Sequence, residues 1–474
     1  MLKIAMVGLS QLSFAGDKEG RYHKTADDLT RFLVGLDAEL YVYREQVIVP
    51  DDAYKALREI KAQEPDFLLV QCTSFSAGLL AQIFAKSGYP IGFWAIPEDG
   101  VSGAMLYNSF CSINMYGAIV RSYYPTERIP IKWFFGEVGD ELFAPRMTIT
   151  VNALRAIKAM NHSRVALIGG IAPGFNDLYF DERKLLARFP GMQFNRLHEF
   201  NEIADRARAY SDQEVADMAN AYDAAATQGV DKRSMKHHMT NVRFLKAYRD
   251  VLAEYHYDAL AVSCWPKFQS EFDYSICSVV GQLNDEGVPT ACEGDVPSAV
   301  SMLLLKNITR KDTTLMDMSS FDEKDDTVLL WHCGPAAKCF ARNGYELGVN
   351  YSGKAHIKGQ PPVGCGVTRD MVFKPMDATI GHIAGESDQL LVAGGHFIEQ
   401  DKPSFCGSRG WLGNLSIAGE KLGARDFIST ILDKGLSHHY PVAQGDVQNE
   451  LMETACWLNM KVIEKTTYKP YLKY

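Results

Sequence analysis

The sequence contains 474 residues, of which 47% are hydrophobic and 23% are charged, an ordinary composition for a globular protein with more than one domain. Its formal net charge of −9 argues against non-specific nucleic-acid binding, because phosphate contacts need a surplus of Lys and Arg. It lacks both a run of about 18 apolar residues, as a membrane span needs, and a secretory signal pattern at its start. Ten cysteines scattered singly fit a reduced compartment, so we expect a cytoplasmic protein that binds neither nucleic acid nor membrane.

In the first two thirds of the chain, predicted strands alternate with predicted helices. The strands are at 2–8, 39–43, 67–72, 90–98, 164–170 and 258–264, and helices between them are at 52–61, 177–189 and 271–286. This alternation is typical of βαβ units around a parallel sheet. We therefore predict two doubly wound α/β domains, at residues 1–160 and 161–325. The loop after the first strand lacks G-x-G-x-x-G, which argues against a nicotinamide dehydrogenase.

The chain is organised around residues 288–295, where a short apolar run ends in Glu293 and Asp295. Small and β-branched apolar residues in such a run predict a buried strand. Open α/β sheets bind ligands at the carboxyl ends of their strands, so Glu293 is the first candidate for chemistry.

Two later segments repeat the pattern of an apolar strand that ends in a polar group. Asp317 ends the run 314–317, and His332 ends the run 327–332. Further along the chain, His438 and His439 are adjacent. Carboxylate oxygens combined with imidazole favour Mn²⁺ or Mg²⁺ over zinc. These segments therefore predict a divalent metal site suited to proton transfer beside a carbonyl group.

From about residue 326 the pattern changes to short β-like runs separated by Gly and Pro turns. The runs are at 345–349, 372–374, 378–382 and 389–392, and a last helix is predicted at 446–458. Short strands with regular turns predict an all-β barrel or a sandwich. We assign them to a third domain, at 326–474.

Several of these motifs together resemble the L-fucose isomerase and L-arabinose isomerase superfamily. They are Glu293-Gly294-Asp295 before a helix, Asp317 in Leu-Met-Asp-Met 24 residues after Glu293, and His438-His439 before Gly445-Asp446. In that superfamily a Glu, a second carboxylate and a C-terminal His bind Mn²⁺. The resemblance implies two doubly wound parallel-sheet domains followed by a C-terminal β-barrel domain. It also implies a homo-oligomer, a hexamer or similar.

The resemblance further implies roles for individual residues. The metal ligands would be Glu293, Asp317 and His439, with Mn²⁺ as the ion and Mg²⁺ or Co²⁺ as alternatives; His438 is the alternative imidazole ligand. Glu293 and Asp317 would also act as base and acid, moving a proton between C2 and C1 of a sugar through an enediol. The predicted substrate contacts are Gln11, His332, His438, Arg409 and Trp411. For His332, ligation of the metal is left open.

These features predict a metal-dependent aldose–ketose isomerase that acts on a free sugar such as L-fucose, D-arabinose or L-arabinose. One alternative is the same scaffold acting on a modified or anionic hexose such as a 6-sulfo sugar, with Lys267 or Arg409 pairing the anion. Another alternative is a non-catalytic sugar-binding protein.

Overall fold

The computed structural model describes residues 1–350, 365–399 and 401–471, and the residues outside these ranges all belong to the predicted third domain, 326–474. The chain divides into two compact units, Met1–Lys158 and Ala159–Tyr474. The second unit contains both the predicted second and third domains, so the division at 325 stays a prediction. Every helix within the described ranges is too short or too polar to cross a membrane.

The first unit is built on one five-stranded parallel sheet with the strand order β2-β1-β3-β4-β5. Its strands are β1 (Leu2–Leu9), β2 (Ala38–Val47), β3 (Phe67–Cys72), β4 (Ile91–Ala95) and β5 (Ile131–Phe135). The helices that begin in it are α1 (Lys18–Val34), α2 (Pro50–Lys61), α3 (Gly78–Ala85), α4 (Ser109–Tyr123) and α5 (Ala144–Met160). A parallel sheet with β1 inside and helices in the crossovers is the doubly wound arrangement that the sequence predicts.

The second unit combines a parallel sheet with a barrel. Its strands are β6 (Arg164–Ile168), β7 (Gln193–His198), β8 (Gly229–Val230), β9 (Ala259–Val262), β10 (Thr290–Ala291), β11 (Thr313–Asp322), β12 (Thr327–His332), β13 (Glu346–Asn350), β14 (Cys365–Val372), β15 (Met376–Ala384), β16 (Gln389–Phe397), β17 (Ser408–Ile417), β18 (Glu420–Lys421), β19 (His439–Gln444) and β20 (Lys461–Val462). Its helices are α6 (Glu182–Arg188), α7 (Phe200–Ala209), α8 (Asp212–Ala225), α9 (Lys232–Met235), α10 (His238–Tyr255), α11 (Lys267–Phe272), α12 (Cys277–Asp285), α13 (Val296–Thr309), α14 (Ala424–Asp433) and α15 (Gln448–Trp457).

The parallel sheet of the second unit has the strand order β10-β9-β6-β7. The strand predicted at 288–295 is shorter than expected, because only Thr290–Ala291 pairs with β9. The chain turns away at Glu293 and Gly294, whose φ angles are 63° and 76°. A Cβ at Gly294 would lie 2.3 Å from the carbonyl oxygen of Gly170, so only glycine fits this turn. The turn leaves Glu293 at the carboxyl end of the sheet, as predicted.

Six antiparallel strands close into a barrel in the order β16-β15-β19-β11-β12-β17, and β17 pairs back to β16. The alternatives of barrel and sandwich are therefore resolved in favour of the barrel. Its strand β11 begins at Thr313, ahead of the predicted domain start at 326. The run predicted as a strand at 372–374 is the end of β14 and the residues after it.

One hydrophobic core extends from the parallel sheet of the second unit into the barrel. Ile168 and Leu260 on the sheet belong to the same buried cluster as Val328 and Val442 on the barrel strands. Because this packing is continuous, the sheet end that carries Glu293 and the barrel strands hold fixed positions relative to each other.

Candidate active site and metal centre

Glu293 lies in the tight turn after β10. Its backbone carbonyl accepts a hydrogen bond from the amide of Ala172 at 2.9 Å. Its side chain is 15% exposed, and Oε2 lies 3.2 Å from Nε2 of His438 and 3.4 Å from Nε2 of His439. A positive φ is uncommon for a non-glycine residue and persists only where the surroundings hold it. The turn therefore fixes a mostly buried carboxylate beside two imidazoles.

Asp317 and His439 face each other across two barrel strands. They form a register pair between β11 and β19, and side chains directly opposite each other in such a pair share one face of the sheet. Nε2 of His439 lies 3.7 Å from Oδ1 of Asp317. The barrel thus supplies a second carboxylate and an imidazole to the position of Glu293.

The structure brings five predicted site residues together. We call this group the cluster: Glu293, Asp317, His332, His438 and His439. Its ligand atoms form two sets, and within each set they lie within 4.8 Å of one another. One set is Glu293 with His438 and His439, and the other is Asp317 with His332 and His439. His439 belongs to both sets, so it stands at the centre of the cluster.

Three buried atoms of the cluster have no hydrogen-bond partner among the described residues: Oδ1 of Asp317, Nε2 of His332 and Nε2 of His439. Buried polar atoms are rarely left unsatisfied in folded proteins. A divalent cation would satisfy the Asp317 and His439 atoms, and with Glu293 they offer two carboxylates and one imidazole. This donor set fits Mn²⁺ or Mg²⁺.

Asp295 orients His439, although we did not include it among the predicted site residues. The side chain of Asp295 is 1% exposed, and its Oδ2 accepts a hydrogen bond from Nδ1 of His439 at 2.8 Å. Its Oδ1 accepts from the amide of Ser298 at 2.9 Å, at the start of α13. With the proton on Nδ1, Nε2 of His439 presents its lone pair to Glu293 and Asp317. Metal-binding histidines commonly donate their other ring N–H to a carboxylate in this way. The sequence signal for this role of Asp295 was its position two residues after Glu293.

We expect Asp295→Asn to weaken Mn²⁺ binding by about 10- to 100-fold, because the amide holds the orientation and basicity of His439 less well. Isothermal titration calorimetry on the folded variant measures this affinity. The matched control is Asp433→Asn, at an exposed residue that ends α14. An Asp295→Asn variant that binds Mn²⁺ as tightly as this control would contradict the role of Asp295.

His438 connects the cluster to the segment between β6 and α6. Its Nδ1 lies 2.7 Å from Oδ2 of Asp177, while its Nε2 contacts Glu293. Burial lowers the pKa of His438, but the hydrogen bonds to the two carboxylates outweigh it and raise the pKa to about 9. The imidazole is therefore cationic at neutral pH, and it is the most exposed histidine of the cluster, at 37%.

Opposing effects set the protonation of the other cluster residues. Burial raises the pKa of Glu293, but hydrogen bonding to His438 and the nearby imidazoles bring it below its ordinary value. Burial lowers the pKa of His332 below its ordinary value. For His439 burial also lowers the pKa, but Asp295 and the nearby carboxylates raise it overall. At neutral pH, Glu293 is therefore an ionised carboxylate and His332 is a neutral imidazole.

Two aromatic rings that we did not predict for the site extend from His438: Phe175 contacts His438, and Trp265 contacts Phe175. The ring of Phe175 lies 5.5 Å from that of His438 and 6.1 Å from that of Trp265. Trp265 follows β9 and is 38% exposed. Sugar sites combine polar groups with apolar walls of this kind, so these rings are suited to contact a sugar.

Three predicted substrate residues are not part of the cluster. Arg409 forms an ion pair with Asp370. Nζ of Lys402 lies 3.9 Å from the centre of the Trp411 ring and covers one of its faces. Gln11 lies in the first compact unit, just after β1. Substrate binding by these three residues stays a prediction.

Comparison with family models gives no match, but curated proteins match most of the chain. A sulfoquinovose isomerase from Clostridium sp. (strain MSTE9) is 27% identical over 405 residues, which cover 84% of this chain and 86% of that protein. Sulfoquinovose isomerases from Priestia aryabhattai and Alkalicoccus urumqiensis are 23% and 24% identical over 427 residues, and 90% of each is covered. The chain is an aldose–ketose isomerase.

The isomerase thus belongs to the predicted enzyme class, the intramolecular oxidoreductases, and the alternative of a non-catalytic sugar-binding protein is set aside. Among solved structures, a periplasmic solute-binding protein from Actinobacillus succinogenes with bound D-allose is 15% identical and covers 66% of this chain. The match covers 93% of that protein, but its TM-score of 0.16 is too low to support any structural argument.

Proposed function

We propose that the isomerase converts a 6-sulfo aldose, sulfoquinovose, into the corresponding ketose and that it requires a divalent cation. The observation that carries this proposal is that Glu293 and Asp317 both approach Nε2 of His439, at 3.4 and 3.7 Å, in a chain similar to sulfoquinovose isomerases over most of its length. These relatives favour the anionic-sugar alternative over the free sugars that we first expected. Membership of the L-fucose isomerase superfamily, a homo-oligomeric state and a cytoplasmic location are further parts of the proposal.

Glu293, Asp317 and His439 would hold the cation, with Mn²⁺ as the proposed ion and Mg²⁺ or Co²⁺ as alternatives. Such a cation would supply Lewis-acid stabilisation of the negative charge that develops on the sugar oxygens, a contribution of several kcal/mol. The fit rests on the two unpartnered atoms, Oδ1 of Asp317 and Nε2 of His439.

The two carboxylates would carry the proton between C2 and C1. Glu293 is ionised at neutral pH because its pKa lies below the ordinary value, so it is able to accept a proton. Asp317 is the second carboxylate near His439, with its Oδ1 3.7 Å from the same Nε2 atom that Glu293 approaches at 3.4 Å. One carboxylate would remove the C2 proton to give an enediolate, and a proton would pass from the hydroxyl at C2 to the oxygen at C1. The same or the other carboxylate would then return a proton to C1, which leaves the carbonyl at C2.

The aromatic wall and the cationic His438 would hold the rest of the sugar. Phe175 and Trp265 offer ring faces to its carbon–hydrogen surface. His438, held between Asp177 and Glu293, would donate to a sugar hydroxyl.

Of the two cations nominated for the anionic group, Lys267 is the better candidate. Arg409 is engaged by Asp370, by the carbonyl of Gly407 and by Ser404. Lys267 has no ion-pair partner within the described ranges, and its Nζ lies 5.2 Å from the centre of the Phe200 ring. It begins α11, two residues after Trp265, and thus follows the aromatic wall directly in the chain.

Replacing Lys267 with Met is expected to raise KM for sulfoquinovose roughly 10- to 100-fold, because a hydrogen bond to a charged group contributes about 1.5–3 kcal/mol. The KM for an uncharged aldose should stay unchanged. Steady-state assays of both sugars measure the difference, with Lys434→Met at an exposed position as the control. Equal changes for both sugars would rule out sulfonate binding by Lys267.

A substrate panel tests the proposed function itself. The purified protein is assayed for ketose formation from sulfoquinovose, L-fucose, D-arabinose and L-arabinose, after chelation by EDTA and after addition of Mn²⁺. The expected result is the highest kcat/KM with sulfoquinovose, loss of turnover with EDTA and recovery with Mn²⁺. Higher kcat/KM with an unmodified sugar would overturn the substrate proposal, and full turnover in EDTA would overturn the metal requirement.

A further inference from the structure

The proton of His332 is fixed by the backbone of the next residue. The amide of Cys333 donates a hydrogen bond to Nδ1 of His332 at 2.8 Å. A ring nitrogen that accepts a hydrogen bond carries no proton, and a neutral imidazole then carries its proton on the other nitrogen. Because Nδ1 accepts this hydrogen bond, the proton of His332 is on Nε2, which is an N–H donor and has no lone pair to offer.

This donor lies inside the cluster without a partner. His332 is 2% exposed, and its Nε2 has no hydrogen-bond partner among the described residues. The ring of His332 stacks on that of His439, with centres 5.6 Å apart. Within the described part of the chain Oδ1 of Asp317 also has no hydrogen-bond partner, so the two nearby groups are not bonded to each other. A buried donor without an acceptor costs about 1–3 kcal/mol, which indicates that a bound molecule supplies the acceptor.

His439 has the opposite arrangement. Asp295 accepts a hydrogen bond from Nδ1 of His439 at 2.8 Å, so the neutral imidazole of His439 has its lone pair on Nε2. Two stacked imidazoles in one cluster therefore present different chemistry, a lone pair from His439 and an N–H from His332. Only the first is able to bind a cation through Nε2.

We propose that His332 is a catalytic hydrogen-bond donor to the substrate and not a ligand of the cation, an assignment that rests on the proposed isomerase function. Removal of the C2 proton puts negative charge on the oxygens at C1 and C2. A preorganised N–H aimed at one of them stabilises that charge in a site with little water. The amide of Cys333 is the positioning group, because it keeps the proton on Nε2.

Pulsed electron paramagnetic resonance of the Mn²⁺-loaded protein tests this assignment by counting the imidazole nitrogens bound directly to the ion. The expected count is one in the wild type, in His332→Leu and in His332→Gln, with unchanged Mn²⁺ affinity in both variants. For kcat we expect a loss of about 10²- to 10³-fold in His332→Leu, as for removal of one such donor. A smaller loss is expected in His332→Gln, which keeps an N–H.

Two coordinated imidazoles in the wild type would overturn the assignment, as would a His332 variant that loses Mn²⁺ affinity. The number of coordinated imidazoles in the wild type tests the assignment of His332 even if a variant does not fold. Failure of the proposed function would give a different result. In that case the wild-type protein would bind Mn²⁺ through one imidazole but would not convert sulfoquinovose. This outcome would refute the proposed substrate and still support the assignment of His332 as a non-ligand.

Discussion

Glu293→Gln is expected to lower kcat by about 10²- to 10⁴-fold, the contribution of a general base, and to weaken Mn²⁺ binding as well. Glutamine keeps the size of the side chain and its place in the turn after β10, but its amide is unable to accept the C2 proton. Asp317→Asn is expected to have the same effect at the second carboxylate, whose Oδ1 lies 3.7 Å from Nε2 of His439. Ketose formation at saturating sugar and Mn²⁺ is the measurement.

The control for this prediction is Glu386→Gln, at a carboxylate that is 76% exposed. It should retain wild-type kcat, and thermal unfolding followed by circular dichroism should give similar midpoints for all three variants. If Glu293→Gln or Asp317→Asn turned over at a near-normal rate, the assignment of base and acid would fail.

His439→Asn is expected to remove Mn²⁺ binding almost completely, while His438→Asn leaves it nearly intact. The affinity loss in His439→Asn should exceed the about 10- to 100-fold typical of losing an outer hydrogen-bond partner. The reason is geometric, since Nε2 of His439 lies near both Glu293 and Asp317 whereas His438 contacts Glu293 and Asp177.

Calorimetric titration of Mn²⁺ into the two variants separates these histidines. The sequence leaves His438 as the alternative ligand, so the opposite result would assign the metal to His438. Loss of Mn²⁺ affinity in His438→Asn with normal affinity in His439→Asn would exchange their roles. In the expected case, His438→Asn still isomerises sugar, but with a raised KM.

The site carboxylates and histidines were predictable because each follows or interrupts an apolar strand pattern. Glu293 ends a run of the parallel sheet, and Asp317 and His439 lie on barrel strands that pair directly. The hydrophobic pattern of the sequence places such residues at the ends or on the faces of strands. It does not give the distances between them, because these depend on the pairing of β11 with β19, which lies more than a hundred residues later in the chain.

The partners of individual side chains were the part that sequence reasoning missed. Arg409 looked free to bind an anion, but Asp370 on β14 holds it. Asp295 was recognised as a carboxylate beside Glu293, but its hydrogen bond to His439 spans 144 residues of sequence. Such partners are fixed by tertiary packing and not by local pattern, so they were accessible only from the structure.

The predicted start of the barrel domain at 326 has a similar explanation. The segment 314–317 was predicted as an apolar strand that ends in a carboxylate, and it fell within the predicted second α/β domain, 161–325. In the structure the strand continues to Asp322 and pairs with β12 and β19 in the barrel. Apolar runs of this length do not distinguish parallel from antiparallel strands.

Anomalous scattering from crystals grown with Mn²⁺ tests the proposed metal site most directly. We expect one strong anomalous peak, bound by a carboxylate oxygen each from Glu293 and Asp317 and by Nε2 of His439. If the protein isomerises sulfoquinovose but its anomalous maps have no peak between these three side chains, the proposed metal site is wrong.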